Sequence, residues 1–295
     1  RGKSAEAEAE YRRALAAKQR AYDPRHVDIA TGHGSLAIAL DAQGKHAEAE
    51  AEARRALELL PADHLDVALC RNTLAVVLVA QKRYAEAELE SRRVVALYEQ
   101  ALGPDHPSAG STRDVLGVIL QKQGKLAEAE AEHRRALAVV EAALGPEHPT
   151  VATARHNLAT VLSKRGRLAE AEAEYRRVVA LRETLLGPEH PYLALSRSRF
   201  AVVLLERGAI AEARTIAEAA WSRRQRDDIP AAERAETAFV LARACWASGK
   251  ADDRTRAIEL AQRSLADYGD AKDAEAVREW LTCRTSSRRR ASARP

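Results

Sequence analysis

The sequence predicts an all-α chain, a solenoid of antiparallel helical hairpins stacked in register, and three observations carry that expectation. A short segment recurs in near-identical form: Gly2-Lys-Ser-Ala-Glu-Ala-Glu, Gly44-Lys-His-Ala-Glu-Ala-Glu, Lys82-Arg-Tyr-Ala-Glu-Ala-Glu, Gly124-Lys-Leu-Ala-Glu-Ala-Glu, Gly166-Arg-Leu-Ala-Glu-Ala-Glu and Gly208-Ala-Ile-Ala-Glu-Ala. The spacings are 42, 38, 42, 42 and 42 residues. A second landmark runs in parallel, Gly103-Pro-Asp-His-Pro, Gly145-Pro-Glu-His-Pro and Gly187-Pro-Glu-His-Pro, with weaker versions around His64 and His26. Between the landmarks the apolar residues follow a helical period, as in Val151, Ala154, Leu158 and Leu162, then Leu168, Ala171, Tyr175 and Val178. Self-similarity at a fixed period marks an architecture in which each unit buries its apolar face against its neighbours.

Each unit reads as two helices. The array spans residues 1–226, with a half repeat over 1–26 and repeats starting near 27, 65, 107, 149 and 191. The Gly-Pro pair of the long connector supplies a left-handed cap and then a residue that cannot continue the helix. Ser108 or Thr150 is placed to cap the helix that follows. Gly124 and Gly166 make the tight turn inside their hairpins. Small residues recur where helices must cross: Ala37, Ala75, Gly117, Ala159 and Ala201 on the first helix, and Ala49, Ala87, Ala129, Ala171 and Ala213 on the second. Side chains this small permit close approach of backbones. In the one 38-residue unit the missing residues fall between Ala47 and His64; four residues are about one helical turn, so the second helix is shortened while its buried stripe keeps register.

Residues 227–283 form a divergent end. Asp228 and Pro230 open a helix to about Ala247, Gly249 turns it, a helix near 254–267 completes the hairpin, and a short capping helix ends around Trp280 and Leu281. From Arg284 to residue 295 the Arg-rich segment has too little apolar surface to order itself and is expected to be a disordered basic tail.

Composition bounds the function classes. Apolar residues are 46% and charged residues 31%, but aromatics only 4%, so the core must be built largely from closely packed small side chains. There is no apolar run of about 18 residues and no charged-then-apolar leader, which makes a soluble, cytoplasmic protein without a membrane partner the expectation. Cys70, Cys245 and Cys283 form no C-x-x-C pair and read as small buried or half-buried hydrophobes. Five arginines lie in residues 284–295, and removing them from the net charge of +4 leaves −1 for the rest, so the folded part is electrically balanced. The chain lacks methionine and opens halfway through a repeat, as expected of a segment of a longer protein. Its alanine- and arginine-rich composition suits a GC-rich bacterial genome.

Leu158, Ala159, Leu162, Gly166, Leu168, Ala171, Tyr175 and Val178 stand where the tetratricopeptide signature places its hallmark residues, and the chain resembles that family. The unit of about 42 residues, the Gly-Pro-x-His-Pro connector and the Asn157-Leu158-Ala159 segment resemble its kinesin light chain variety. The resemblance covers residues 1–226 strongly and 231–267 weakly. It implies a right-handed superhelical solenoid whose concave face binds a partner protein or peptide, a scaffold or adaptor rather than an enzyme. The proline that closes the shorter repeat of about 34 residues is replaced by Glu183, and the Tyr175 position is Ala53, Ser91, His133 and Ala217 in other repeats. Similar arrays are also attached to bacterial serine/threonine kinases and nucleotide-switch ATPases, so a C-terminal regulatory region of a signalling enzyme is the alternative reading.

Few residue patterns point to chemistry. His26, His64, His106, His148 and His190 recur with the connector, but equivalent residues of stacked hairpins sit about 10 Å apart, whereas Zn–N bonds are near 2.1 Å. A loop-structuring role is expected, with no metal or cofactor. Arginine pairs recur at Arg12-Arg13, Arg54-Arg55, Arg92-Arg93, Arg134-Arg135 and Arg176-Arg177, each preceded by glutamates three or four residues earlier, as Glu50 and Glu52 precede Arg54 and Arg55. That order favours a self-neutralised face and disfavours a nucleic-acid stripe. No nucleophile-elbow, metalloprotease, phosphate-loop or kinase signature is present.

What remains is one face of each first helix, at spacings of four and three, pointing away from the hairpin partner. It reads Gly34, Ile38, Asp41; Asn72, Val76, Val79; Asp114, Val118, Gln121; His156, Thr160, Ser163; Ser198, Val202, Leu205; and Phe239, Arg243, Trp246. The candidate peptide-binding groove is Ile38, Asn72, Val76, Val79, Asp114, Val118, Gln121, His156, Asn157, Thr160, Ser163 and Val202. The competing reading is that Val76, Val118 and Val202 only pack against neighbouring first helices. Related arrays that grip peptides carry paired asparagines before the Leu-Ala step. Only Asn72 and Asn157 remain here, at different positions, so that clamp does not carry over whole. Self-association stays open.

Overall fold

The computed structural model describes residues 2–61, 64–225 and 229–292. They fall into two compact units, Arg1–Val161 and Leu162–Pro295. Among the described residues there are fourteen helices and no strand. In the first unit α1 (Gly2–Ala21) is followed by three hairpins: α2 (Val27–Asp41) with α3 (His46–Leu59), α4 (Asp66–Ala80) with α5 (Tyr84–Leu102), and α6 (Pro107–Lys122) with α7 (Leu126–Leu144). Helix α8 (Pro149–Lys164) begins in the first unit and ends in the second. The second unit continues with α9 (Leu168–Leu186), the hairpins α10 (Pro191–Glu206) with α11 (Ile210–Arg224) and α12 (Ala231–Ala247) with α13 (Ala251–Tyr268), and α14 (Ala274–Ser292). Asp228, expected to help open α12, lies outside the described residues.

Packing follows the small-residue pattern. Ala37, Ala75, Ala49, Ala87 and Ala129 in the first unit, and Ala171, Ala201 and Ala213 in the second, are wholly buried, which lets the large side chains beside them interdigitate. In the first unit these include Leu36, Leu40, Leu74, Leu78, Leu116 and Leu120; in the second Tyr175 stacks on Phe200 with centroids 6.2 Å apart. The ionic pattern follows too. Arg12 meets Glu8, Arg54 meets Glu50, Arg92 meets Glu88 and Arg176 meets Glu172 at i,i+4, while Arg13, Arg55, Arg93 and Arg177 take Glu10, Glu52, Glu90 and Glu174 at i,i+3.

The connectors are built differently from the expected Ser/Thr caps. At His26, His106 and His190 the histidine itself is the N-cap, and at all five connectors Nδ1 of His26, His64, His106, His148 and His190 accepts the backbone N–H two residues on, at 3.2 Å. Ser108 and Thr150 therefore supply donors, not acceptors, and Pro107 fills the first helical position where no N–H is needed. The glycine before the connector adopts φ +91 and ψ 156 at Gly103, with similar values at Gly145 and Gly187. That region is essentially restricted to glycine and lies beyond the simple left-handed cap expected from the Gly-Pro pair.

The hairpin turns show one exception. Gly44 and Gly124 take φ +78 and +80, and Lys82 holds the same place at φ +63. A side chain there costs about 1–2 kcal/mol, partly offset by glycine's greater unfolded freedom. Lys82→Gly is accordingly expected to raise the urea midpoint, by about 1 kcal/mol of stability; an unchanged or lower midpoint would count against the turn being strained.

Helix α3 has 14 residues where α5, α7 and α9 have 19. The lost turn matters because the last turn of a long second helix grips the next first helix: Glu99 pairs with Arg113, Glu141 with Arg155 at 2.5 Å, and Glu183, at the replaced proline, with Arg197 at 2.8 Å. Beside the short end of α3 a cavity of about 440 Å³ opens instead, lined by Ile29, His33, Arg55 and Leu59 among others.

The capping helix is longer than the short one expected: α14 runs from Ala274 to Ser292, with the Arg284 guanidinium 4.3 Å over Trp280 and the Thr285 hydroxyl donating to the Leu281 carbonyl. One further expectation is corrected. Cys283 is exposed, whereas Cys70 and Cys245 are buried and burial pushes the Cys70 thiol up to about 11.

Candidate functional site

In the first unit, α2 and α4 lie side by side, because Val77 belongs to one core cluster with Leu36 and Leu40. That packing turns Ile38 and Val76 outward, 52% and 44% exposed. The α4 face extends one turn further than the sequence reading took it. Leu69 is 53% and Leu65 46% exposed, and with Asn72 and Val76 they follow the same four-and-three spacing. The signal was present in that spacing, read too short toward the N-terminus of α4.

Polar groups edge this apolar strip. Asn72 is half-buried, and its Oδ1 is buried without a hydrogen-bond partner in the protein. Asp114 on α6 sits in a chain of polar contacts: its Oδ1 lies 2.7 Å from His133 Nδ1, and its Oδ2 accepts from Asn157 Nδ2 at 2.7 Å. His133 occupies the position held elsewhere by a tyrosine. It is fully buried, with Nε2 meeting no partner, and fits because Gly117 leaves room: a Cβ there would lie 2.6 Å from the imidazole. Asn157 thus orients Asp114 across adjacent first helices.

Other expected groove residues are placed differently. Val79 packs against the cluster of Ala37, Leu74, Leu78 and Ile119, and Val202 against the second unit's core, so both are half-buried. His156 is only 8% exposed, and Thr160 turns its hydroxyl back onto the His156 carbonyl. Val118, Gln121 and Ser163 are half-buried. Periodicity put all of these on one face; burial by neighbouring helices divides it into an open part, Ile38, Leu65, Leu69 and Val76, and a covered part.

The family model for the tetratricopeptide repeat matches residues 1–62, 66–142, 111–184 and 150–226. The chain belongs to the tetratricopeptide repeat family. This tetratricopeptide array is similar to the nearly identical TPR-like repeats of the Podosopora anserina putative kinesin light chain, at 26% identity over 71% of this chain and 98% of that one, with a TM-score of 0.59. BtubC (BKLC) from P. vanneervenii matches at 19% identity over 82% and 92% of the two chains, TM-score 0.61. The apo form of RapI matches at 14% over 88% and 89%, TM-score 0.66; these two likenesses are of fold alone. No curated protein matches the chain. Tetratricopeptide repeats are generally protein-interaction scaffolds, and among the described residues no helix is long and apolar enough to cross a membrane.

Proposed function

We propose that this tetratricopeptide array acts by binding without turnover, and that the first-helix face of residues 1–161 receives an extended apolar segment of a partner protein. The observation that carries this reading is the exposure of Ile38, Leu69 and Val76 on two neighbouring helices. Single exposed aliphatics are ordinary on any protein, but a contiguous strip rimmed by polar groups marks an interaction surface. The fixed carboxylate of Asp114 supplies an acceptor for a backbone amide of the segment, and the aliphatics supply burial.

Affinity capture from the source cell's extract tests it, comparing the intact chain with an Ile38→Arg, Val76→Arg variant. Both side chains are exposed, so helicity by circular dichroism is expected to be unchanged. The variant is expected to retain at least about tenfold less of a specific partner, a difference of roughly 1.4 kcal/mol. Equal retention by two folded proteins would remove this face from consideration.

A further inference from the structure

The second unit carries a face whose charge is divided along a single helix. Glu236, Phe239, Arg243 and Trp246 share one side of α12. At the Glu236 end a cavity of about 440 Å³ is lined by Glu233, Phe239, Tyr268 and Asp273 as well. Among the described residues Arg199 is the one cation lining it, and it is already paired with Glu236 at 2.7 Å; Glu233 is paired with Arg224 at 3.0 Å. Asp273 has no ion-pair partner among the described residues. Burial, with Glu236 and Asp273 adding to it, pushes Tyr268 up to about 12, so its hydroxyl stays neutral at the cavity wall. The cavity thus combines two aromatic rings with excess negative charge, which suits a cationic side chain.

The other end is opposite in sign. Trp246 and Trp280 meet edge to face at 5.6 Å, with Phe239 edge-on to Trp280 at 5.8 Å. The Arg254 guanidinium lies 5.5 Å over Trp246, and Arg284 lies over both indoles. Neither these arginines nor Arg243 has a carboxylate within ion-pair distance among the described residues, unlike Arg54 or Arg176. Burial lowers the Arg284 pKa and the nearby charge of Arg243 lowers it further, while Arg284 Nε is buried without a partner. Two half-buried like charges held together favour an anion beside them.

Glu236 and Arg243 are seven residues apart, two turns or about 10 Å along α12. A peptide in the extended polyproline II form advances about 3.1 Å per residue with three residues per turn, so side chains three positions apart lie on one face and span nearly the same distance. We infer that this face binds an extended peptide segment bearing one basic and one acidic side chain three residues apart, with an apolar residue between them resting on Phe239 and Trp280. The inference rests on the reading of the array as a peptide-binding scaffold and gives the second unit a site with its own chemistry.

The test uses the full chain and end-capped synthetic peptides carrying one lysine and one glutamate, separated by one to six positions in an alanine–leucine background. Binding is followed by calorimetry and by the fluorescence of Trp246 and Trp280. A separation of three is expected to bind at least tenfold more tightly than other separations or than peptides with either charge alone. Glu236→Lys and Arg243→Glu should each weaken that binding at least tenfold while helicity is unchanged. Glu236→Lys should in addition turn the preference toward a peptide with two glutamates at the same separation, a gain that simple loss of fold cannot give. Absence of binding, indifference to separation, or tighter binding of a single-stranded oligonucleotide than of any peptide would overturn the inference. Those results leave the scaffold reading intact if the Ile38→Arg, Val76→Arg variant still loses its partner. Equal capture by that variant, with the paired-charge peptide bound as expected, would overturn the first-unit site alone.

Discussion

Replacing Gly117 by alanine is expected to lower the stability of the protein by about 3 kcal/mol. The added methyl would sit 2.6 Å from His133 Cε1 and under 3 Å from both ring nitrogens. It meets a ring, not the end of a flexible chain. His133 is wholly buried and held 2.7 Å from Asp114, so the ring can yield only by giving up that bond. Overpacking of this kind costs about 1–3 kcal/mol, and losing a hydrogen bond to a charged group about 1.5–3 more, with the two overlapping. The preceding repeat shows the remedy, since it pairs Ala75 with Ser91. The double variant Gly117→Ala, His133→Ser should therefore be more stable than Gly117→Ala alone, which urea unfolding of the four members of the cycle would reveal. Additive losses would mean that the two positions do not share one space.

The second large effect is acid sensitivity centred on Glu88. Burial disfavours its ionisation, but hydrogen bonds from Lys125 at 2.7 Å, Gln123 at 2.8 Å and Arg92 outweigh burial and hold its pKa at about 2, below the ordinary 4.5. The folded state thus binds the proton less readily than the unfolded chain. The resulting stability is present in full above pH 4.5 and is lost as the pH falls towards about 2. Lys125 and Arg92 are more than 40% exposed and screened by solvent, so the contribution is set at about 2 kcal/mol rather than the roughly 3 that the full shift would give. Glu88→Gln should cost that amount at pH 7, and the two proteins should converge near pH 2 in denaturant titrations. A constant difference across that range would show that the carboxylate's charge is not what matters. Glu50 is held below its usual range by the same three kinds of contact, from Arg54, Gln81 and Arg83.

How much of this was legible in advance depends on whether a feature repeats. The helix pairs, the wholly buried alanines at the crossings and the arginine–glutamate pairs recur at a fixed period, and a period can be read without coordinates. The connector histidines were recognised as structural, but their atoms were not: only the bond from the backbone of residues such as Ser108 to His106 Nδ1 shows which group caps which. One-off features were hidden. Gly117 looked like one more small residue, because nothing in a linear sequence says that His133 fills the space beside it. The candidate face was half legible for the same reason. Spacing placed Ile38, Val76, Val79 and Val202 together, while exposure separates the first two from the last two. The aromatic and arginine cluster around Trp246 depends on α14 bringing Trp280 and Arg284 onto α12, a contact that no repeat announces.

The joints between neighbouring second helices in the first unit have a further consequence. Gln81 and Arg83 close onto Glu50 as Gln123 and Lys125 close onto Glu88, and as Gln43 and Lys45 close onto Glu8. Because each joint is chemically the same, duplicating or deleting one whole repeat would join two ends that already fit. Unequal recombination can then lengthen or shorten such a chain without inventing an interface, leaving selection free to act on the few outward positions, Ile38, Leu69 and Val76 among them, that differ from one copy to the next.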